Sequence, residues 1–272
     1  MPESSRRIRC TDGVELAVYE SGPAGAPTIV AVHGFPDDHT VWDRVLPRLA
    51  GQFRVVTYDV RGAGASDRPR PVAAYRLSQL VEDLAAVVDA ASPDAPVHLV
   101  GHDWGSIQSW PAVTDERLAT RIATFTSISG PSLDYAARWL RGRSPAALRQ
   151  LVHSYYVGIF QLPMVPEFVI RRGWLDRLIE DDAPRTQADE INGLQLYRAN
   201  VLGRLRRPRP VPVGLPVQLI VPERDSAVTP AFAIESARPW VADLAVHRVP
   251  AGHWVPREQP GVVADLIRAF AG

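Results

Sequence analysis

The sequence predicts an α/β protein with an open, mostly parallel sheet, helices on both faces and an inserted helical lid. Two observations favour this class. Short apolar runs alternate with segments of helical periodicity, as in successive βαβ units. Between residues 131 and 213 this alternation gives way to helical patterning alone. We therefore assign residues 1–130 and 214–272 to the sheet-containing core and residues 131–213 to a helical lid domain.

The first half of the core contains five predicted strands and one long predicted helix. "VELAVYE" alternates like a half-exposed strand, whereas "TIVAVHG", "FRVVTYD" and "VHLVG" are apolar enough to be buried. The helix "LSQLVEDLAAVVDA" has apolar residues at helical spacing, and Ser78 is its N-cap candidate. The strands are "VELAVYE" from Val14, "TIVAVHG" from Thr28, "FRVVTYD" from Phe53, "VHLVG" from Val97 and "IATFTSISG" from Ile122.

The lid segment contains aromatic clusters with helical patterning, "LVHSYYVGIF" and "GLQLYRANVL". It ends in the proline-rich "RRPRPVPVGLP", which predicts a return to the sheet. We interpret the overlapping arginine run "GRLRRPRP" as a solvated linker. Two more strands follow, "PVQLIVPERD" from Pro216 and "DLAVHRVPAG" from Asp243, and then a last helix, "PGVVADLIRAFA" from Pro260.

Composition excludes several classes of function. The 30 basic residues balance 30 acidic residues, so no surplus of positive charge suggests a nucleic-acid partner. Cys10 is the single cysteine, which rules out a disulfide within the chain and a cysteine zinc cluster. We expect no metal and no organic cofactor. The N-terminus lacks the apolar region of a secretory signal, and no apolar run approaches about 18 residues. We therefore expect a cytoplasmic protein without a membrane span.

Polar residues stand where predicted strands end, which is where parallel sheets collect their ligands. They are His33, Asp59, Asp103, Asp225 and His253. We interpret His33 as a structural residue, and we interpret His102, which directly precedes Asp103, in the same way. Asp59 is expected to order its own loop together with Arg61.

Asp103 lies at the centre of "GHDWG", between a predicted strand and a predicted helix. Gly101 and Gly105 stand two positions to either side, as in a nucleophile elbow, where a sharp turn leaves no room for flanking side chains. The reactive residue at such an elbow is ordinarily serine. A carboxylate is already ionised at neutral pH and can displace a leaving group at a saturated carbon. The alternative is an aspartate that merely caps the following helix.

An acid and a histidine follow Asp103 in the order of an α/β-hydrolase triad. Asp225 closes "QLIVPERD", and His253 lies in "AGHW" just beyond the last strand. Asp225 would orient the imidazole of His253, which would activate water to cleave the ester formed on Asp103. Glu223 and Asp243 compete with Asp225 for the role of the acid.

Cleavage of that ester needs an oxyanion hole, because negative charge builds on an oxygen of Asp103. The backbone N–H of Trp104 is one expected donor. The other should come from the loop "HGFPDD", in which a tight turn at Gly34 exposes the N–H of Phe35.

Five motifs together resemble the α/β-hydrolase-fold epoxide hydrolases: "HGFP", "YDVRGAGAS", "GHDWGS", "PERD" and "AGHW". They span nearly the whole chain in the right order and are most similar to the hydrolase domain of mycobacterial epoxide hydrolases. The resemblance implies hydrolysis of a small-molecule epoxide to a vicinal diol through a covalent aspartyl ester. It also leaves a homodimer open.

The same resemblance implies two lid tyrosines that hydrogen-bond the epoxide oxygen. In the family, one lies in a stretch like Tyr-x-x-x-Phe-Gln-x-Pro and the other in one like "LNWYR". Here "YVGIFQLP" and "LQLYRAN" match and place Tyr156 and Tyr197 in these roles. Tyr155 stays open as an alternative to Tyr156.

The sequence departs from the epoxide hydrolase pattern at two places, and two other functions remain as alternatives. Ser106 stands where the family often has a second glycine, and "RGAGAS" is a small-residue version of a loop that usually bears an aromatic residue. "HDWGS" also resembles haloalkane dehalogenases, which have asparagine or another halide-binding residue in place of Phe35 and lack the tyrosine pair. The second alternative is a non-enzymatic small-molecule-binding member of the fold.

Overall fold

The computed structural model describes residues 4–173 and 185–272, so residues 174–184 of the predicted lid lie outside the described residues. Within these ranges, eight strands form one sheet with the order β1-β2-β4-β3-β5-β6-β7-β8. The pairs β1–β2 and β2–β4 are antiparallel, and all other neighbours are parallel. The strands are β1 (Ser4–Arg9), β2 (Glu15–Ser21), β3 (Thr28–Val32), β4 (Arg54–Tyr58), β5 (Val97–His102), β6 (Ile122–Ile128), β7 (Val217–Pro222) and β8 (Leu244–Val249).

Helices connect these strands and cover both faces of the sheet. They are α1 (Leu46–Leu49), α2 (Leu77–Ala91), α3 (Trp104–Ala112), α4 (Leu133–Leu140), α5 (Pro145–His153), α6 (Tyr155–Phe160), α7 (Val165–Arg171), α8 (Gln187–Arg206), α9 (Pro230–Ala237), α10 (Val255–Glu258) and α11 (Pro260–Ala271). Four of the described helices (α1, α6, α7 and α10) are shorter than eight residues. Single 3₁₀ turns occupy His39–Trp42, Val72–Tyr75 and Ala119–Arg121. Among the described helices, none combines the length and the apolar character needed to cross a lipid bilayer.

The sheet is buried on both faces, which explains the continuous apolar runs of its central strands. Every residue of β3 and of β7 is buried. One apolar cluster contains Leu80 and Leu84 of α2 on one face of the sheet. A second cluster contains Leu49 of α1 and Ile267 of α11 on the other face. The predicted fold class, a mostly parallel sheet between helical layers, is confirmed.

The helices α4 to α8 lie between β6 and β7, inside the segment 131–213 that the sequence assigns to a lid. We keep the name lid for this segment. That it forms a domain of its own stays a proposal.

Two local expectations differ from the structure. Strand β1 is not among the predicted strands, because "SSRRIR" has no apolar alternation; it lies at the sheet edge and pairs with β2. The N-cap prediction for α2 is wrong: Arg76 is the N-cap residue, and Ser78 lies in the first turn. The lid replaces the missing side-chain cap, because the Oδ1 of Asn200 in α8 accepts the N–H of Leu77 at 2.8 Å.

Arg61 does not act with Asp59 as the sequence suggested. Asp59 does order its own loop, since it accepts the N–H of Ala65 at 2.8 Å. The Arg61 guanidinium instead forms a bidentate pair with Asp83 of α2, with two bonds of 2.6 Å, and a further bond of 2.9 Å to Asp12. The side chains of Arg61 and Asp83 are 0% and 2% exposed, so the pair is shielded from water.

We predict that Asp83→Ala lowers the free energy of unfolding by about 3–5 kcal/mol, because it leaves the buried guanidinium of Arg61 without its main counter-charge. Asp89 on the same helix is the matched control. Its pair with Arg121 has a carboxylate that is 60% exposed, so Asp89→Ala should cost at most about 1 kcal/mol. Urea denaturation of both variants is the measurement, and equal losses would contradict the prediction.

Candidate active site

Asp103 sits in a sharp turn between β5 and α3, in a backbone conformation that is unusual for a residue with a side chain. Its φ is 50° and its ψ is −121°. A Cβ atom added at Gly101 would lie 2.6 Å from the Cα of Ser106. One added at Gly105 would lie 2.1 Å from the carbonyl oxygen of Val32. The glycines of the motif are therefore needed for space on both sides of the turn, as the sequence predicted.

A third glycine, which sequence reasoning missed, also packs against the turn. A Cβ at Gly130 would lie 2.1 Å from the carbonyl oxygen of Asp103. Gly130 follows β6, and the backbone N–H of Asp103 donates to Ile128 at the end of that strand. The turn is thus wedged between two neighbouring strand ends, which hold its strained backbone in place.

The structure brings Asp103, Asp225 and His253 together at the carboxyl edge of the sheet. The Nδ1 of His253 lies 3.0 Å from both carboxylate oxygens of Asp225. Its Nε2 lies 3.6 Å from the Oδ2 of Asp103, an ion-pair distance rather than a hydrogen bond. Neither competing acid occupies this place: Glu223 and Asp243 are exposed to solvent.

Asp225 is fixed by its own loop. Its Oδ1 accepts the N–H groups of Ala227 at 2.8 Å and Val228 at 3.0 Å. Burial by itself raises the pKa of this carboxyl, but the imidazole of His253 and the two N–H groups outweigh it and hold the pKa below its ordinary value. Asp225 therefore stays ionised and keeps one ring nitrogen of His253 protonated.

Two carboxylates set the charge of His253. Burial by itself lowers the pKa of this imidazole, but Asp225 and Asp103 together raise it well above the ordinary value of 6.5. As long as Asp103 is charged, the imidazole is held protonated at neutral pH. Loss of the charge on Asp103 removes part of this effect and lowers the pKa, which favours the neutral imidazole that can act as a base.

The loop after β3 lies against the nucleophile. The N–H of Phe35 donates to the Oδ1 of Asp103 at 2.7 Å. A Cβ at Gly34 would lie 2.4 Å from the same oxygen, so only glycine allows this approach. Trp104 is the first residue of α3, where backbone N–H groups have no acceptor within the helix. Both predicted oxyanion donors are therefore next to Asp103.

The lid carries two tyrosines above this edge. Tyr156 of α6 and Tyr197 of α8 meet edge to face, with ring centroids 6.2 Å apart. Burial raises the pKa of both phenols above 10, and the charge of Asp103 adds to the effect. Both phenols are thus neutral donors close to the nucleophile. Tyr155 points away, with 62% of its surface exposed.

Tyr197 is held by aromatic contacts from both the lid and the core. Its ring centroid lies 4.8 Å from that of Trp104, 5.0 Å from that of Phe160 and 5.5 Å from that of Phe35. Gly193, one turn earlier in α8, lets the helix approach, since a Cβ there would lie 2.1 Å from the Phe35 ring. The position of the second tyrosine is therefore tied to the loop that contacts Asp103.

The two other histidines near the site have structural partners. His33 contacts the carbonyl of Gly34 at 2.9 Å and accepts the N–H of Val60 at 2.8 Å, which fixes the loop after β3. The Nε2 of His102 lies 2.9 Å from the carbonyl oxygen of His253. Burial lowers the pKa of His102, so it is held neutral. These contacts agree with the structural roles that the sequence suggested.

Asp37 is a residue of this site that sequence reasoning missed. Its carboxylate is buried and accepts the indole N–H of Trp254 at 2.8 Å and a bond of 2.8 Å from Arg257. It thereby ties the loop after β3 to the loop that carries the triad histidine. The only signal in the sequence was the acidic pair that ends "HGFPDD".

No group of three or more histidine, cysteine or acidic side chains that could hold a metal ion occurs among residues 4–173 and 185–272.

Comparisons with known proteins bear on the family and the fold of the chain. A family model described as the alpha/beta hydrolase fold matches residues 27–152. The chain is similar to the "probable oxidoreductase EphD" of Mycobacterium tuberculosis, with 37% identity over 99% of this chain and 50% of that protein. It is also similar to epoxide hydrolase A of the same organism, with 32% identity over 72% of this chain and 56% of that protein. The chain thus spans about half the length of these relatives.

The solved structures include an epoxide hydrolase of Bacillus megaterium in complex with an inhibitor. It matches with a TM-score of 0.80 and 25% identity, over 97% of this chain and 99% of that one. The similarity therefore covers the sheet and the lid together.

We predict that Asp103→Asn lowers the pKa of His253, because the amide cannot supply the negative charge that helps to hold the imidazole protonated. An NMR titration of the imidazole resonances of His253 in both proteins is the measurement. Asp265→Asn, at an exposed carboxylate in α11, is the control and should leave the titration where it is. The same pKa in the wild type and in Asp103→Asn would contradict the prediction.

Proposed function

This chain belongs to the α/β hydrolases, and we propose that it hydrolyses epoxides to vicinal diols through a covalent ester on Asp103. One observation carries the proposal: a carboxylate replaces serine at the nucleophile elbow, and two neutral phenols lie across from it. A serine nucleophile needs a base before it can attack, whereas an ionised aspartate does not. When a saturated ring carbon is attacked, the oxygen that leaves it needs a proton. The two phenols can donate that proton.

In the first step, an oxygen of Asp103 attacks a ring carbon of the epoxide. A new carbon–oxygen bond forms as the ring carbon–oxygen bond breaks, and the opening oxygen takes a proton from Tyr156 or Tyr197. Both phenols have raised pKa values, so they reach the reaction protonated. The products are an alkyl ester of Asp103 and a phenolate.

The ester changes the electrostatics of His253. Once Asp103 is neutral, the pKa of the imidazolium falls, and its proton is available to return the phenolate to the phenol. The neutral imidazole, oriented by Asp225 at 3.0 Å, then takes a proton from water, and the resulting hydroxide attacks the ester carbonyl carbon.

The N–H groups of Phe35 and Trp104 stabilise the charge that develops on the carbonyl oxygen. The 2.7 Å bond from Phe35 to the Oδ1 of Asp103 already has the direction that this requires. Collapse of the intermediate breaks the bond to the alkyl oxygen, which takes the proton from His253 and leaves as the diol. This leaves Asp103 as a carboxylic acid, which transfers its proton to the neutral imidazole of His253 and so restores both the carboxylate and the imidazolium.

The expected partner is a small-molecule epoxide. A cytoplasmic location and a homodimer stay predictions from the sequence.

The experiment that tests the function is diol formation from a panel of epoxides, run beside halide release from a panel of haloalkanes. Asp103→Ala is the matched inactive variant. Diol formation by the wild type that vanishes in this variant is the expected result. Halide release without diol formation would favour a haloalkane dehalogenase. Ligand binding without turnover, unaffected by Asp103→Ala, would favour a binding protein.

We predict that Tyr156→Phe and Tyr197→Phe each lower kcat for epoxide opening by about 10²–10⁴-fold, because each removes a proton donor to the leaving oxygen. Tyr155→Phe is the matched control, since it removes an adjacent hydroxyl that points to solvent, and it should change kcat less than about twofold. Steady-state kinetics of the three variants on one epoxide is the measurement. A loss confined to Tyr155→Phe would move the donor role to the alternative residue.

A further inference from the structure

A small cavity lies beside the proposed active site, between α3, α8 and the loops that follow β3 and β4. Gly34, Phe35 and Trp104 line it, and the same three residues surround the carboxylate of Asp103. Its volume is about 20 Å³, enough for one water-sized group. The cavity is therefore adjacent to the position of a substrate bound at Asp103.

Gln108 of α3 lines this cavity with an amide that has no partner. The residue is 1% exposed, and neither its Oε1 nor its Nε2 makes a hydrogen bond within the described part of the chain. By contrast, each charged side chain that lines the cavity has a partner of opposite charge at 2.6–2.8 Å. These side chains are Arg61, Asp37 and Asp189. Buried amides are almost always hydrogen-bonded, so an unpartnered one needs a reason.

Ala63 and Leu196 also line the cavity in which Gln108 lies. Ala63 lies in the loop after β4, within "RGAGAS". Leu196 lies in α8, directly before Tyr197. A larger side chain at either position would take up space in a cavity of this size.

We propose that Gln108 is a specificity-determining residue that binds a hydroxyl group of the substrate in this cavity. A hydroxyl both donates and accepts, so it can satisfy the Oε1 and the Nε2 of one amide. A carboxylate would fit poorly, because Asp37 and Asp189 already line the same small space. The inference rests on the proposed function and adds the class of substrate, an epoxide that also carries a hydroxyl group.

Selectivity follows from burial. A terminal methyl group would fill this water-sized space and leave the Gln108 amide without a partner, whereas a terminal hydroxyl group would satisfy it. Sites of this kind discriminate between such pairs by about tenfold or more in kcat/KM.

The test compares kcat/KM for pairs of epoxides of equal chain length that end in a hydroxyl or in a methyl group, over a series of chain lengths. We expect the wild type to prefer the hydroxylated member by about tenfold or more at the length that reaches the cavity. Gln108→Leu, similar in size but unable to hydrogen-bond, should remove or reverse this preference. Its Tm should equal or exceed that of the wild type, because the substitution removes an unsatisfied buried amide.

Gln79→Leu is the matched control. Gln79 lies half-buried in α2 with an unpartnered Nε2 but outside the cavity, so this variant should keep the wild-type preference. An unchanged preference in Gln108→Leu, or none in the wild type at any length, would overturn the proposal while diol formation itself persists. Absence of diol from every epoxide would instead refute the proposed function.

Discussion

The arrangement depends on the turn that holds Asp103 at φ 50° between β5 and α3. A side chain in this conformation costs on the order of 1–3 kcal/mol, so the surroundings must enforce it. They do so through close backbone approaches at Gly101, Gly105 and Gly130, where a Cβ would lie within 2.6 Å of a neighbouring atom. The result is a carboxylate that projects from the edge of the sheet, clear of its own backbone, toward the lid.

The charges around this carboxylate explain how one site can serve two steps. His253 is a buried cation between two buried carboxylates, and Asp225 alone is bound to it within hydrogen-bond distance. Esterification of Asp103 removes one of the two negative charges, and the pKa of the imidazole falls at the stage where a base is needed. The phenols of Tyr156 and Tyr197 contribute protons without adding charge to the resting site.

Sequence patterns predicted those features of the fold and the site that short motifs and their order along the chain encode. The elbow glycines, the order of acid and histidine, and the apolar runs of the parallel strands are all local signals. Packing between distant segments was out of reach: Gly130 contacts the elbow from another strand, and Asn200 replaces the expected cap of α2 from the lid. Asp37 was missed for the same reason, since its partners lie more than two hundred residues away.

In the proposed reaction, Asp103 itself supplies the oxygen that enters the substrate. A single turnover in ¹⁸O-labelled water, with enzyme in excess over epoxide, distinguishes this route from direct attack by water. We expect an unlabelled diol and an ¹⁸O atom in the peptide that contains Asp103, because the carboxylate oxygen is transferred first and water replaces it during ester cleavage. Label in the diol after that first turnover, with none in Asp103, would instead show direct attack by water and rule out an ester on Asp103.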